Sequence, residues 1–301
     1  MNFRLKSPLH IGFHKVMHLF LTREYIPPKP FWGALTAKLT RELTLMEYEK
    51  VGEFLKTAIR FGYLYIWDKD KDIVYTPRYT DEGLKFGSSK GEEIFQNEFA
   101  KRYISSLAST AIEAHSLTAE EGMLHEVEFI SPYTLDEGQP VFFRGLLWVC
   151  EFSGDGFSIA DLGEDDFTIQ YGDRRVKFSE LVDDLQVGGE RKYGFGLLKM
   201  AGKPKKENGN DLTSLGYNGT WEEKDDEIYV SIGRHGPVWS HVKYAPDLKI
   251  KGEMEPFVGR NWSDKGAGRE LNICGLCWSP GSILLEEKIF KVTRDFGLWE
   301  T

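Results

Sequence analysis

The stretch VGGERKYGFGLLKM at 187–200 places four glycines, Gly188, Gly189, Gly194 and Gly196, within nine positions. Glycine enters left-handed backbone without a steric penalty and lets another chain approach closely, so a run this dense demands a sharp reversal. Arg191 and Lys192 stand at its crest. Before it, Phe178, Leu181, Val182 and Leu185 recur at helical spacing; after it, Tyr193, Phe195, Leu197 and Met200 read as a strand. The order is therefore helix, glycine loop, strand. A dinucleotide fingerprint or a P-loop runs the other way, from strand through loop to helix, and the GxxxxGK[ST] pattern is absent. These residues fit a loop of free N–H groups beside two cations, turned toward the phosphates of a polyanion. A glycine-rich hairpin with solvated charges fits them too.

Charge bears on that choice. The 301-residue chain carries a net charge of −9, which taken whole argues against a simple nucleic-acid binder. The charges are segregated, however. Residues 1–41 hold seven cations (Arg4, Lys6, Lys15, Arg23, Lys29, Lys38, Arg41) against Glu24, whereas 151–184 holds ten acids against Arg174, Arg175 and Lys177. Such a chain can turn a basic face to a polyanion and an acidic face to solvent or to a basic protein. The three cysteines are too few for a disulfide scaffold and fit a reducing compartment. No apolar run approaches the roughly eighteen residues of a membrane span, and the first residues lack a signal-peptide pattern. The expectation is a cytoplasmic protein with no membrane partner.

In chain order, 2–6 and 16–22 read as strands with a loop between them. The IPPKP run then sets Pro30 in the first turn of a helix with Phe31, Leu35, Leu39 and Leu43 on one face and Lys38 and Arg41 elsewhere. Gly33 in that helix permits close approach, either of RNA backbone to the helix N-terminus or of the helix to a sheet. A second helix follows over 47–60, a strand over 62–67, loop over 76–90 and a helix over 92–103. Residues 110–115 and 124–131 read as strands, and the apolar run 141–152 as a central strand joined to 124–131 through the DEGQP turn. The expected fold is α+β: a ferredoxin-like (RRM-like) domain over 1–200 with an insertion at about 47–120, then a smaller β-rich C-terminal domain over 201–301. Helices on one face of such a sheet leave the other open to RNA, though the aromatic RNP1 motif is absent. The C-terminal part carries GRNWSDKGAGRE at 259–270, where Arg260, Lys265 and Arg269 surround Trp262, a mixture suited to single-stranded nucleic acid or to an ordinary surface loop.

Three stretches together carry a family resemblance. FRLKSPLHIG followed by YIPPKPFWGALTAKLTREL, then EEGMLHEVEFISP, then GGERKYGFG with its preceding helix and following strand stand in the order found in the RAMP superfamily of CRISPR-associated proteins, which this chain resembles over about two thirds of its length. The resemblance implies the same ferredoxin-like fold with a RAMP-like C-terminal domain. It also implies CRISPR RNA (crRNA) as ligand and other type III effector subunits as partners, namely the large polymerase-like subunit and the backbone RAMP subunits. The RNA-contacting residues on this reading are Lys29, Lys38, Arg41, Gly188, Gly189, Arg191, Lys192, Gly194, Gly196, Arg260, Lys265 and Arg269. No cofactor is implied.

Catalysis has three possible sources. His10, His14 and His18 repeat every four residues, but Pro8 and Gly12 break the helix that would align them for a metal. Cys274 and Cys277 form a single CxxC in a strand-like run with no second pair, which suits apolar structural cysteines better than zinc. The third source is metal-independent RNA cleavage by histidine at a 2′-hydroxyl. RAMP endonucleases that process precursor RNA use a histidine near the N-terminus, and His10 or His14 falls there. Slicing backbone subunits instead carry an aspartate ahead of the IPxxxxxG segment; here that place holds Thr22, Arg23, Glu24 and Tyr25. The expectation is a non-catalytic, RNA-holding subunit that holds crRNA backbone or 5′ tag, with a precursor-processing endoribonuclease and an anion-binding α+β protein as alternatives.

Overall fold

The computed structural model describes residues 1–43, 47–88, 92–110, 124–162, 165–263, 266–294 and 296–301. Its first layer is a sheet built from β1 (Asn2–Leu5). Next in the chain come the hairpin strands β2 (Gly12–Val16) and β3 (Leu19–Thr22), then helices α1 (Pro28–Glu42) and α2 (Tyr48–Ala58), which run into β4 (Ile59–Asp68). Pro28 opens α1 at a position where its missing N–H costs nothing. Phe31, Leu35 and Leu39 form its buried stripe. Trp32 donates from Nε1 to the Gly52 carbonyl at 3.0 Å, and a Cβ on Gly52 would meet that indole at 2.8 Å, so the two helices cross in contact there.

Further along lie helix α3 (Gln96–Tyr103), β5 (Ile104–Ser109), β6 (His125–Ile130), β7 (Phe142–Val149), the short helix α4 (Phe178–Val182), β8 (Leu185–Gln186) and β9 (Leu197–Met200). The first sheet runs β8-β9-β1-β7-β4, extended by Tyr25–Ile26, with every pair antiparallel. The register Phe3↔Phe143 and Phe143↔Ile66 aligns apolar side chains toward α1 and α2. β2, β3, β6 and β5 form a separate four-stranded sheet. The acidic segment folds into a third, made of Ser153–Gly154, Phe157–Ala160, Thr168–Tyr171 and Arg174–Lys177.

The C-terminal part is a seven-stranded sheet: β10 (Thr220–Lys224), β11 (Glu227–Ile232), β12 (Val242–Lys243), β13 (Met254–Ser263), β14 (Gly266–Trp278), β15 (Lys288–Val292) and β16 (Trp299–Glu300), in the order β10-β11-β15-β16-β12-β14-β13. The α+β class with a β-rich second half is as expected from the sequence.

Three assignments differ from that reading. The partner of β7 is β4, not the 124–131 segment, which belongs to the hairpin sheet. A strand buried on both faces reads as an unbroken apolar run, and 59–66 is buried throughout, which is why it sits inside the main sheet. The 16–22 segment is not one strand, because Met17 at φ +54° turns the chain between β2 and β3. Residues 76–90, read as loop, contain a hairpin of Thr76–Thr80 and Gly83–Gly87. The expected strand at 110–115 lies almost wholly outside the described residues; β5, at Ile104–Ser109, precedes it.

The open sheet face expected from the sequence is also covered. Phe61, Leu64 and Ile66 of β4 point into the core under α1 and α2, while Tyr63 and Tyr65 pack with Tyr217, Trp239 and Trp148 of the second core. The Tyr65 hydroxyl donates to the Trp239 carbonyl at 2.6 Å, and the Tyr217 hydroxyl reaches the Arg144 carbonyl at 2.7 Å. The second half of the chain thus occupies the face that RNA would otherwise meet.

Candidate nucleic-acid interface

The glycine stretch is a loop joining β8 to β9, so a two-strand hairpin, and not α4 directly, feeds it. Its glycines divide into two kinds. Gly188 (φ +87°) and Gly196 (φ +82°) are left-handed, and a Cβ on them would lie 2.4 Å from the His10 carbonyl oxygen and 1.8 Å from that of Val187. Gly194 has the same left-handed φ, +83°, but open space around it. The first kind seats the loop on the 7–11 segment. Gly189 donates its N–H to the His10 carbonyl at 2.8 Å, Gly196 to that of Pro8 at 2.6 Å, and Leu197 to the Ser7 hydroxyl at 2.9 Å. Val187 and Gly194 also donate within the loop. The amides of these residues are therefore committed to the protein and take no part in a cradle of free N–H groups.

What the loop presents outward is its crest. Arg191, Lys192 and Tyr193 form one 3₁₀ turn between left-handed Glu190 and Gly194; both cations are exposed, and Tyr193 is 76% exposed. Gln186 fixes the crest from below, donating from Nε2 to the Arg191 and Phe195 carbonyls at 2.9 Å each. Burial raises the Tyr48 phenol, and the Arg191 charge opposes the shift. Two cations and an aromatic on a rigid turn can meet a phosphate and stack a base.

The histidines have different settings. His10 is buried under Gly188 and Gly189, and its Nδ1 lies 2.7 Å from the Glu128 carbonyl oxygen, to which it donates. His14 is exposed on β2 with its ring against Phe13. His14 on a strand and His18 in a turn are not aligned by a helix. Among the described residues no group of three His, Cys, Asp or Glu side chains could hold a metal. Cys277 is buried in β14, and burial pushes its thiol up to about 12, so it stays protonated.

The N-terminal cations are mostly engaged. The Lys29 ammonium is buried, donating to Asn261 Oδ1 at 2.6 Å and lying 4.0 Å from the centre of the Phe296 ring. A Cβ on Gly259 would meet its side chain at 2.4 Å, and one on Gly297 would meet Pro28 at 3.0 Å. The start of α1 is thus packed by the C-terminal half, not left open for phosphate. Lys38 donates to the Glu180 carbonyl at 3.3 Å and to that of Asp183, capping the end of α4. Arg41 remains exposed. A Cβ on Gly33 would find only the Tyr48 hydroxyl at 3.9 Å, so nothing in the protein demands glycine there.

Arg260 and Arg269 are exposed near the end of the β13–β14 hairpin, with Arg260 Nη1 bridging to the Gly268 carbonyl at 3.2 Å. Lys265 lies outside the described residues. The described residues of this cluster, 259–263 and 266–270, lie on the two strands toward the far end of a long hairpin.

One constellation had no sequence signal. Glu255 accepts two bonds from Arg23 (3.0 and 2.7 Å), one from His241 Nε2 (2.7 Å) and one from Ser279 (3.0 Å), while Tyr63 donates to His241 Nδ1 at 2.7 Å. Burial pushes His241 down to about 4 against the pull of Glu255, so the ring is neutral. Burial works against Glu255 ionising, but the bonds from His241 and Arg23 hold it well below the usual carboxylate range. Its members come from positions 23, 63, 241, 255 and 279, and no local pattern links them.

No protein-family model matches the sequence, and no curated protein matches it. Solved structures do. A chain of the type III-B Cmr-beta complex bound to cognate target RNA and AMPPnP aligns over 94% of this chain and 84% of its own, with a TM-score of 0.53 and 11% identity. A chain of Cmr-beta bound to cognate target RNA aligns over 94% and 85%, with a TM-score of 0.51 and 11% identity. The chain thus shares its overall fold with these chains of type III-B complexes, and the α+β class expected from the sequence is the class found.

Proposed function

We propose that this chain is an RNA-holding subunit of a type III CRISPR ribonucleoprotein, binding crRNA along its backbone or 5′ tag without cutting it. The observation that carries this reading is the fold shared, over 94% of the chain, with chains of complexes solved with RNA. Supporting it, the order β9-β1-β7-β4, which in the βαββαβ succession is fourth, first, third, second, suits a ferredoxin-like domain. Arg191, Lys192 and Tyr193 give that domain an outward cationic and aromatic turn. The large polymerase-like subunit and backbone RAMP subunits are the partners on this reading.

Cleavage by His10 is disfavoured by position, which leaves the exposed His14 as the histidine to test. A general base must reach the hydroxyl it activates, and His10 lies under two glycines with one ring nitrogen held by a carbonyl. The segment before Ile26 also lacks the slicing aspartate of backbone subunits. The test is to purify the intact complex carrying Arg191→Ala with Lys192→Ala. The RNA load should fall, and binding should lose about one unit of salt slope per lost phosphate contact. An unchanged load and slope would reject the assignment. Site-specific cutting of labelled repeat RNA in EDTA, lost in His10→Ala or His14→Ala, would establish the endoribonuclease instead.

A further inference from the structure

The four-stranded sheet of β2, β3, β6 and β5 has a face that the loop assignment does not use. Paired residues in register share a face, and the register runs Lys15↔Phe20, Phe20↔Val127 and Val127↔Leu107. His125 and Phe129, two positions either side of Val127 in β6, lie on the same face. Lys15 holds its ammonium 4.7 Å from the centre of the Phe20 ring, and His125 meets that ring edge-on at 6.1 Å. Leu107, on the outer strand, is 53% exposed. Glu126 and Glu128 alternate to the opposite face, where Glu128 accepts from the Thr22 N–H. The face is consequently aromatic, apolar and cationic, without a carboxylate among these positions.

It is also continuous with the glycine loop. The Phe129 ring meets Phe195 edge-on at 5.5 Å, and Phe195 lies two residues past the exposed Tyr193. The loop and this sheet are thus packed together through Phe129 and the buried Phe195, which sets the exposed crest of the loop and the Phe20 face on neighbouring elements.

We propose that this sheet face is a second contact for the same ligand, a platform on which unpaired bases of single-stranded RNA stack on Phe20 beside Lys15 and His125. The proposal rests on the RNA-binding reading above and adds a site and a mode to it. Stacking on an aromatic tolerates any base and depends little on salt, whereas the phosphate contact of the loop depends strongly on it. The two surfaces therefore separate by measurement.

The test uses the full chain with a labelled oligouridine containing 5-iodouridine. Ultraviolet cross-linking should mark the peptide that carries Phe20 or the one that carries His125 and Phe129. Phe20→Leu should weaken binding about tenfold with the salt slope unchanged. Lys15→Gln, at an exposed position, should weaken binding and lower the slope by about one unit; it also decides the question if Phe20→Leu fails to fold by circular dichroism. RNA bound with wild-type affinity by both variants, or cross-links confined to the loop peptide, would overturn the platform while leaving the loop assignment standing. No binding of oligouridine or crRNA by the wild-type chain would overturn both.

Discussion

Gly196 and Gly194 share a left-handed φ, +82° and +83°, yet impose different limits on substitution. A Cβ at 194 meets nothing, so Gly194→Ala carries only the conformational penalty, about 1 kcal/mol. At 196 the same atom would lie 1.8 Å from the Val187 carbonyl oxygen, and the residue's N–H bonds to Pro8. Gly196→Ala must separate the ends of the loop, at a further cost of about 1–3 kcal/mol. Urea denaturation should rank Gly194→Ala well above Gly196→Ala in stability; equal loss would show that the loop yields freely. The glycine density was legible in the sequence. Which glycines are conformational and which are seats was not, because the seat is the 7–11 segment, remote in sequence and brought there by the pairing of β9 with β1.

At the scale of elements, α1 shows why composition alone misplaces function. Its apolar stripe was readable from Phe31, Leu35 and Leu39, but its cations were judged by residue type, and type does not reveal a partner. Lys29 is taken by Asn261 and Phe296, Lys38 by the end of α4, and Arg41 faces water. Lys29→Met should cost about 1–2 kcal/mol through the lost bond to the hairpin, with no change in the salt slope of RNA binding. Arg41→Gln should leave stability within about 0.5 kcal/mol. If RNA reaches α1, it should lower the slope by about one unit. A slope that falls with Lys29→Met would place that side chain on phosphate after all. The same distinction explains the strands. β7 is evident as an apolar run, whereas its partner β4 is separated from it by about seventy residues of other structure, and sequence alone favours pairing with the nearer β6 because consecutive strands usually lie side by side.

For the whole molecule, the network around Glu255 joins the two halves: Arg23 and Tyr63 come from one, His241, Glu255 and Ser279 from the other. Tyr25 lies against it with its phenol raised by burial, and the Ser240 hydroxyl donates to the His241 carbonyl, so both face it as neutral groups. The neutral His241 ring makes the joint sensitive to acid. Its value in the fold, about 4, lies below the ordinary 6.5, so between those two values the unfolded chain binds the extra proton and the fold does not. Stability is therefore full above about pH 6.5 and declines as pH falls toward about 4, by roughly 3 kcal/mol for a shift of this size. Glu255 adds loss of the same sign at lower pH, since its depressed value means stability present above the unfolded carboxylate range and lost below it. The urea midpoint of the wild type should thus fall steeply between pH 6.5 and 4. His241→Gln should start from lower stability, having given up its bonds to Tyr63 and Glu255, but decline less over that interval because it has no proton to gain. Parallel curves for the two proteins would mean that His241 titrates normally in the fold, and that the halves are joined without a buried neutral imidazole.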